Sequence, residues 1–473
     1  MNDLWRNWAH RTDVTLAIGL VLALFVTVHA LLNKREVASA VGWIGLVWFA
    51  PVMGAIGYFM FGVNRVKRRA KQLRPHDGPS VTASERASPT LDGNLPQLDR
   101  SIGLITGRPL LPSTAVQVYR DGDEAYPAML AAIAAAKSSV GMSSYIFRGD
   151  IWGRRFIAVL VEAQRRGVAV RVLIDGIGGG WLLSSAYHRL RREGVPAARF
   201  MHSLLPWRMA FINLRTHKKI LVVDGVVGFT GGMNIADENV MATDPKAPVR
   251  DMHFRIEGAV VSQLVDAFMA DWAFATNEDL PDDAWLPTGA SSDGAPARVI
   301  DSGPDADIEK VEFAVLQAIA CARNSIAVMT PYFLPDERLI SALAVAAMRG
   351  VAVDVVVPEH SNHPVVDCAT RANVGPLLAN GVRVWRSPPP FHHSKLMVVD
   401  DEWCLIGSSN WDLRSFRLNF ELCLEIYDRA LATTLTAVMR DSRGRALTAA
   451  ELDRRRLPAR LRDAAARLML PYV

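Results

Sequence analysis

The sequence predicts an α/β protein: two similar α/β domains in a pseudo-twofold arrangement, preceded by a two-helix transmembrane hairpin. Three observations predict it. Strongly apolar segments alternate with alanine-rich helical ones. The stretch before residue 281 resembles the stretch after residue 298. Two long uncharged runs precede both.

The chain has 473 residues, of which 50% are hydrophobic and 21% charged. A mean hydropathy of +0.13 is high for a soluble protein. The net charge of +5 and pI near 9.1 imply attraction to anionic partners, and nucleic acid and anionic lipid both fit. The four cysteines, Cys321, Cys368, Cys404 and Cys423, have no zinc-like spacing and are too sparse for a disulfide framework. They read as small buried hydrophobes and suit a reducing compartment.

Val14 to Leu32 is an uncharged run of 19 residues, and Val37 to Val63 a second one of 27, interrupted by Pro51. A bilayer core needs about 20 apolar residues per helix, so each run is long enough to span. Only Asn33-Lys34-Arg35-Glu36 separates them, which forces a tight hairpin. Arg65, Lys67, Arg68, Arg69, Lys71 and Arg74 follow at once, so both termini are expected on the cytoplasmic side. Ala38-Ser39-Ala40 has the form of a signal-peptidase site, but the apolar run is long for a signal segment and a second run follows directly.

Residues 1–64 thus read as the hairpin and 65–112 as a basic, Pro/Ser-rich linker. Residues 113–280 form the first domain, 281–298 a second linker, 299–430 the second domain and 431–473 a basic C-terminal helical segment. The repeat is visible residue by residue. Ala-Ile-Ala-Ala-Ala-Lys (132–137) with Tyr145-Ile146-Phe147 matches Ala-Ile-Ala-Cys-Ala-Arg (318–323) with Tyr332-Phe333. Arg166-Gly-Val-Ala-Val matches Arg349-Gly-Val-Ala-Val. In each copy a helix ends at Arg-Gly and feeds an apolar, β-branched strand of the kind buried in a parallel sheet.

Each half then carries one motif. The first has His217, Lys219 and Asp224, followed by Gly231-Gly232-Met233-Asn234; the second has His393, Lys395 and Asp400, followed by Gly407-Ser408-Ser409-Asn410, at identical spacing. Along a strand, residues two apart share a face, so each His and its Lys point the same way. One such pair is an ordinary strand end. Two, with matching Asp and Asn inside a repeat, point to one site built from both halves. Phosphodiester exchange needs such a set: Lys219, Lys395, Asn234 and Asn410 to neutralise the phosphate oxygens, one histidine to attack, and the other to protonate the leaving alkoxide. Asp251 and Glu421, downstream of the two motifs, are placed to hold their histidines in the correct tautomer. No metal is required, and His360 with His363 makes a poor metal motif.

These residues resemble the paired motif of the phospholipase D superfamily. The wider pattern, including Asn410-Trp-Asp-Leu-Arg-Ser415 and Asn419-Phe-Glu421, is similar to bacterial cardiolipin synthases with a two-helix anchor. The first copy departs from the usual Gly-Ser by having Gly-Gly, so a hydroxyl contact to phosphate is implied for Ser408 alone. The resemblance implies two phospholipase-D-like domains and transfer of a phosphatidyl group between two phosphatidylglycerols, releasing glycerol. It implies a phosphohistidine intermediate, no cofactor and no metal. His217, Lys219, Asp224, His393, Lys395 and Asp400 would form the catalytic set, with both aspartates more structural than catalytic. His217 is the nucleophile and His393 the acid/base by analogy, and the reverse stays open. So does phosphatidylethanolamine as second lipid, and a hydrolase that yields phosphatidic acid is the alternative. Partners would be anionic phospholipids and the membrane, not nucleic acid, and whether the chain forms an oligomer stays open. The location would be the bacterial inner membrane, multi-pass, with the catalytic domains on the cytoplasmic side. The apolar loops Leu204–Leu214 and Pro388–Phe391, beside the two histidines, suit contact with acyl chains.

Overall fold

The computed structural model describes residues 2–34, 37–62, 91, 93–113, 115–181, 183–202, 214–286, 294–303 and 309–468. The chain divides into two compact units, Met1–Ala70 and Lys71–Val473.

In the first unit, α1 (Asn2–Asn33) and α2 (Val37–Phe49) form from the two apolar runs, but the second run does not continue as one helix. It breaks at Ala50, and Pro51 opens a separate helix, α3 (Pro51–Gly57), because proline lacks the N–H and its ring clashes with the preceding turn. The chain folds back so tightly that a Cβ on Gly54 would lie 2.8 Å from Val47 Cα. Tyr58 packs its ring edge-on to His29 at 5.6 Å and to Trp43 at 5.4 Å. Among the described residues no helix is long and apolar enough to cross a membrane. The unit is nonetheless apolar outside: Phe49 is 95% exposed, Leu32 79% and Val37 76%. The basic run at 65–74 lies outside the described residues.

In the second unit, the first half builds a seven-stranded sheet. Its strands are β1 (Ala115–Arg120), β2 (Ser139–Ser144), β3 (Ala169–Asp175), β4 (Ala197–Phe200), β5 (Ile220–Val223), β6 (Val227–Gly231) and β7 (Met252–Glu257), in the order β1-β7-β6-β5-β2-β3-β4. The second half repeats that order with β8 (Ala295–Ser302), β9 (Ser325–Met329), β10 (Ala352–Pro358), β11 (Arg383–Ser387), β12 (Leu396–Val399), β13 (Trp403–Gly407) and β14 (Glu421–Tyr427). The second sheet gains a short strand at each edge, Leu111–Ser113 on β8 and Ala446–Leu447 on β11. β2, β3 and β4 run parallel, as do β9, β10 and β11; the motif strands β5 and β12 each pair antiparallel to both neighbours.

Each sheet is covered outside by its own helices. Tyr126, Met129 and Ile133 of one helix (Asp121–Ala135) and Phe156 and Leu160 of the next (Ile151–Arg165) pack on the first sheet. The equivalent helices Lys310–Cys321 and Glu337–Met348 cover the second. The inner faces share one core, filled by Phe268 and Trp272 of helix Val261–Thr276 and by Leu435 and Met439 of helix Arg429–Asp441. Burial of side chains this large contributes roughly 1.5–3 kcal/mol each, so neither half completes its core alone.

Three segments sit differently from their expected places. Leu95–Thr106, inside the expected linker, is a helix whose Leu98 and Ile102 are fully buried in the second half's core. The expected second linker already begins β8 at Ala295, and its 287–293 part lies outside the described residues. The expected C-terminal appendage begins with a helix of the shared core and ends with Leu457–Arg467 packed on Pro364–Asn373. Composition averaged over these stretches concealed the spacing of their apolar residues.

Candidate active site

Two parallel strand contacts between the halves bring the motifs together. Thr216 bridges Phe420, with His217 N–H donating to Phe420 O (2.8 Å) and Phe420 N–H to Arg215 O (2.8 Å). In mirror fashion Phe391–His392 pairs with Val249–Arg250, and His393 N–H donates to Arg250 O (2.7 Å). The next residues are Glu421 and Asp251, so each carboxylate arrives beside the histidine of the other half. Glu421 Oε2 lies 3.1 Å from His217 Nδ1, and Asp251 Oδ2 lies 2.8 Å from His393 Nδ1. The sequence reading paired each acid with its own motif; the structure crosses them. Both carboxylates are fully buried, and the two imidazole centroids are 6.5 Å apart.

A carboxylate at Nδ1 fixes the proton there and leaves Nε2 with its lone pair. Burial lowers the proton affinity of His217, and burial with the Lys395 charge pushes His393 down to about 3. Burial alone would raise the two acids, but their histidine partners outweigh it: Asp251 is held at about 2, and Glu421 also falls below its ordinary value. Each pair therefore rests as neutral imidazole and ionised carboxylate.

Lys219 and Lys395 follow their histidines on the same face and are 2% and 4% exposed. Lys219 Nζ donates to His217 O at 2.6 Å; Lys395 Nζ donates to His393 O and lies 3.0 Å from both nitrogens of that ring. Burial and the opposing Lys395 charge lower Lys219 to about 7, and burial lowers Lys395 to about 8. An anion between them would restore both charges. The intervening Lys218 faces the other way and pairs with Asp271 at 2.9 Å.

Asn234 accepts from Ile146 N–H through its side-chain carbonyl (3.1 Å) and lines the cavity. Asn410 also lines it, with a buried, unpartnered Oδ1. Ser408 is placed differently from the expected phosphate contact: its hydroxyl donates to Glu421 Oε2 (2.5 Å), while its carbonyl lies 2.9 Å from His217 Nδ1. The counterpart Gly232 has no side chain because the Asp251 carboxylate fills that space; a Cβ there would lie 2.5 Å from Asp251 Oδ1. Gly231 and Gly407, at φ 147° and 155°, let the chain turn where a Cβ would strike the neighbouring strand.

Asp224 and Asp400 are corrections to the catalytic set. They end β5 and β12, roughly 16 Å along the strand from the lysines at about 3.3 Å per residue. Asp224 accepts from the N–H groups of Lys137, Ser138 and Ser139 at 2.7–3.1 Å, and Asp400 from Arg323, Asn324 and Ser325 at 2.6–2.9 Å. They anchor the starts of β2 and β9 and touch nothing in the cavity.

That cavity holds about 500 Å³ and contains both histidines. Sequence reasoning missed its tyrosines. Tyr145 stands edge-on to His217 at 5.1 Å, and Tyr332 to His393 at 6.4 Å. The signal was present, since they are equivalent residues of the repeat. Phe391 stacks on Tyr332 at 6.3 Å, while residues 203–213 of the other apolar loop lie outside the described residues. Among the described residues no group of His, Cys, Asp and Glu could hold a metal ion; His363 packs against Tyr332 at 5.8 Å. All four cysteines are unpaired, and Cys321, Cys404 and Cys423 are buried.

The family described as "Cardiolipin synthase, PLD-like domain" matches residues 129–272 and 315–442, and "Phospholipase_D-nuclease N-terminal" matches residues 21–62. A cardiolipin synthase of Halalkalibacterium halodurans is 33% identical over 92% of this chain and 88% of its own. The major cardiolipin synthase ClsA of Bacillus subtilis is 30% identical over 98% of this chain and 99% of its own. Phosphatidylserine synthase of Haemophilus influenzae superposes with a TM-score of 0.61 at 15% identity, over 80% of this chain and 100% of that one; this likeness concerns the fold alone.

Proposed function

Because this chain belongs to the phospholipase-D-like cardiolipin synthase family, we propose that it transfers a phosphatidyl group from one phosphatidylglycerol to another, making cardiolipin and releasing glycerol. The observation that carries this reading is the crossed pair of histidine–carboxylate contacts around two buried lysines.

The diester phosphate sits between Lys219 and Lys395, with the amides of Asn234 and Asn410 beside it. Its charge raises the proton affinity of the nearby imidazoles, so one of them becomes the imidazolium needed as acid. The other attacks phosphorus through Nε2; the bond to the glycerol oxygen breaks, and that oxygen takes the imidazolium proton. The resulting phosphohistidine then meets a second lipid. Its hydroxyl gives its proton back to the free imidazole and attacks phosphorus, and the phosphorus–nitrogen bond breaks. One diester is exchanged for another, so the chemistry needs no external energy source. Asp251 and Glu421 stay ionised throughout and stabilise whichever imidazole is charged.

The apolar exterior of the first unit supports placement at a bilayer, and the basic run at 65–74 supports catalytic domains on the cytoplasmic side of a bacterial inner membrane. The test is purified full chain with phosphatidylglycerol in detergent micelles. Native protein gives cardiolipin and glycerol in equal amounts, and His217→Ala gives neither. Phosphatidic acid as the only lipid product would rule the transferase reading out.

A further inference from the structure

The pseudo-twofold that relates the histidines, lysines and tyrosines fails at three pairs of equivalent positions lining the same cavity. Two residues before His217 stands Arg215; two before His393 stands Phe391. Four after Asn410 stands Arg414; four after Asn234 stands Glu238. Two before Glu421 stands Asn419; two before Asp251 stands Val249. The crossed strand contacts collect these differences into two ends. Arg215 lies beside Phe420, hence next to Asn419, and the charges of both arginines act on Tyr145, the tyrosine beside His217. Val249 pairs directly with Phe391, which stacks on Tyr332 at the His393 end.

The cavity therefore has a cationic end and a more apolar end, where Phe391 and Val249 lie on the same side as Glu238, whose carboxylate is ion-paired with Arg148. At the cationic end both guanidiniums are half-buried; burial lowers Arg215's affinity for its proton, the Asp175 carboxylate opposes that effect, and the Arg414 charge adds to it. Asn419 is 6% exposed; its Nδ2 donates to Glu421 Oε1 (3.1 Å), which leaves a buried Oδ1 with no partner. An unpaired buried acceptor needs a donor, and a hydroxyl supplies one. The reacting phosphate is already served by Lys219 and Lys395, so these groups are extra to it.

We propose that Arg215, Arg414 and Asn419 form a second phosphodiester site, which holds the acceptor lipid by its own phosphate and by a hydroxyl of its headgroup. The apolar end, at Phe391 and Val249, takes the diacylglycerol part of the phosphatidyl group. This rests on the transferase reading above. It explains how one cavity receives two like lipids without confusing their roles. The acceptor is an alcohol carried on the same three-carbon glycerol as its phosphate, and an uncharged alcohol or water cannot use the site.

The experiment offers the full chain phosphatidylglycerol together with ethanol and measures cardiolipin against phosphatidylethanol in the same tube. Arg215→Gln and Arg414→Gln should each lower that product ratio by about tenfold or more, the effect of losing a charge-assisted hydrogen bond, and Arg→Lys should recover part of it. An unchanged ratio overturns the site, whether total turnover falls or not. A second arm needs no variant: with native protein, glycerol phosphate should be a better acceptor than glycerol, and equal use overturns the proposal. Phosphatidylethanol without cardiolipin from native protein would instead count against the parent reading, because the acceptor arm still reports on the cationic site.

Discussion

His217 and His393 are held the same way by different acids, and the difference is a matched exchange. Ser408 donates to Glu421, whereas Gly232 makes room for the shorter, closer Asp251. Glu421→Gln should lower kcat by roughly 10²–10⁴, as loss of the orienting carboxylate does elsewhere. It should shift the imidazole Nδ1–H resonance of His217 and leave that of His393 in place; the reverse would mean the acids are not crossed. The lysines set a second expectation. Both are lowered, to about 7 and about 8, so in the free enzyme their charge is lost as pH rises through that window. The histidines are lowered below 6.5, so the attacking imidazole is already neutral there. The pH profile of kcat/KM should rise below 6.5 and fall between about 7 and 8, with Lys219 as the earlier loss. Lys219 also bears on stability. Its value is about 7 folded and near 10.5 unfolded, so its burial costs most below pH 7 and nothing above 10.5. Lys219→Met should therefore stabilise the protein by roughly 1–2 kcal/mol near pH 6, read from thermal melts, with less gain near pH 9 and no activity at either.

At the scale of elements, the strand that carries each motif also carries its anchor. Asp224 and Asp400 tie the ends of β5 and β12 to the starts of β2 and β9. Asp400→Ala strands three N–H groups and should cost about 1–3 kcal/mol in a denaturant melt, with little change in the pH profile. A changed profile would return the aspartate to the chemistry. The motif residues were legible in the sequence because His, Lys and Asn recur at fixed spacing on a two-residue period. The crossing was not, because it depends on Thr216 meeting Phe420 about two hundred residues away. Tyr145 and Tyr332 were on the page as equivalent residues of the repeat, but a buried aromatic beside a strand reads first as core. The helix at 95–106 was hidden for a similar reason: its Leu98 and Ile102 lie four apart inside a stretch whose overall composition is that of a linker. Pro51 was visible, yet only the fold shows that the chain reverses there instead of kinking.

At the scale of the molecule, the repeat is more than a duplication. Each half supplies one histidine, one lysine and the acid for the other's histidine, and the inner faces of the two sheets share a core. Residues 71–290 and 291–473 produced as separate chains should neither fold cooperatively nor turn over. Full-length His217→Ala mixed with full-length His393→Ala should stay inactive, since each site draws both imidazoles from one chain. Recovery on mixing would show that halves exchange between chains. The central claim is a single shared site that moves a phosphatidyl group onto a second lipid, and one measurement reaches it directly. Purified full chain is given phosphatidylglycerol labelled at phosphorus, quenched early and analysed for protein-bound label and for cardiolipin. The account predicts an acid-labile, base-stable phosphohistidine in native protein that declines as cardiolipin appears, and no cardiolipin from His217→Ala or His393→Ala. Cardiolipin made by either variant, or labelled phosphatidic acid as the sole product of native protein, would contradict it.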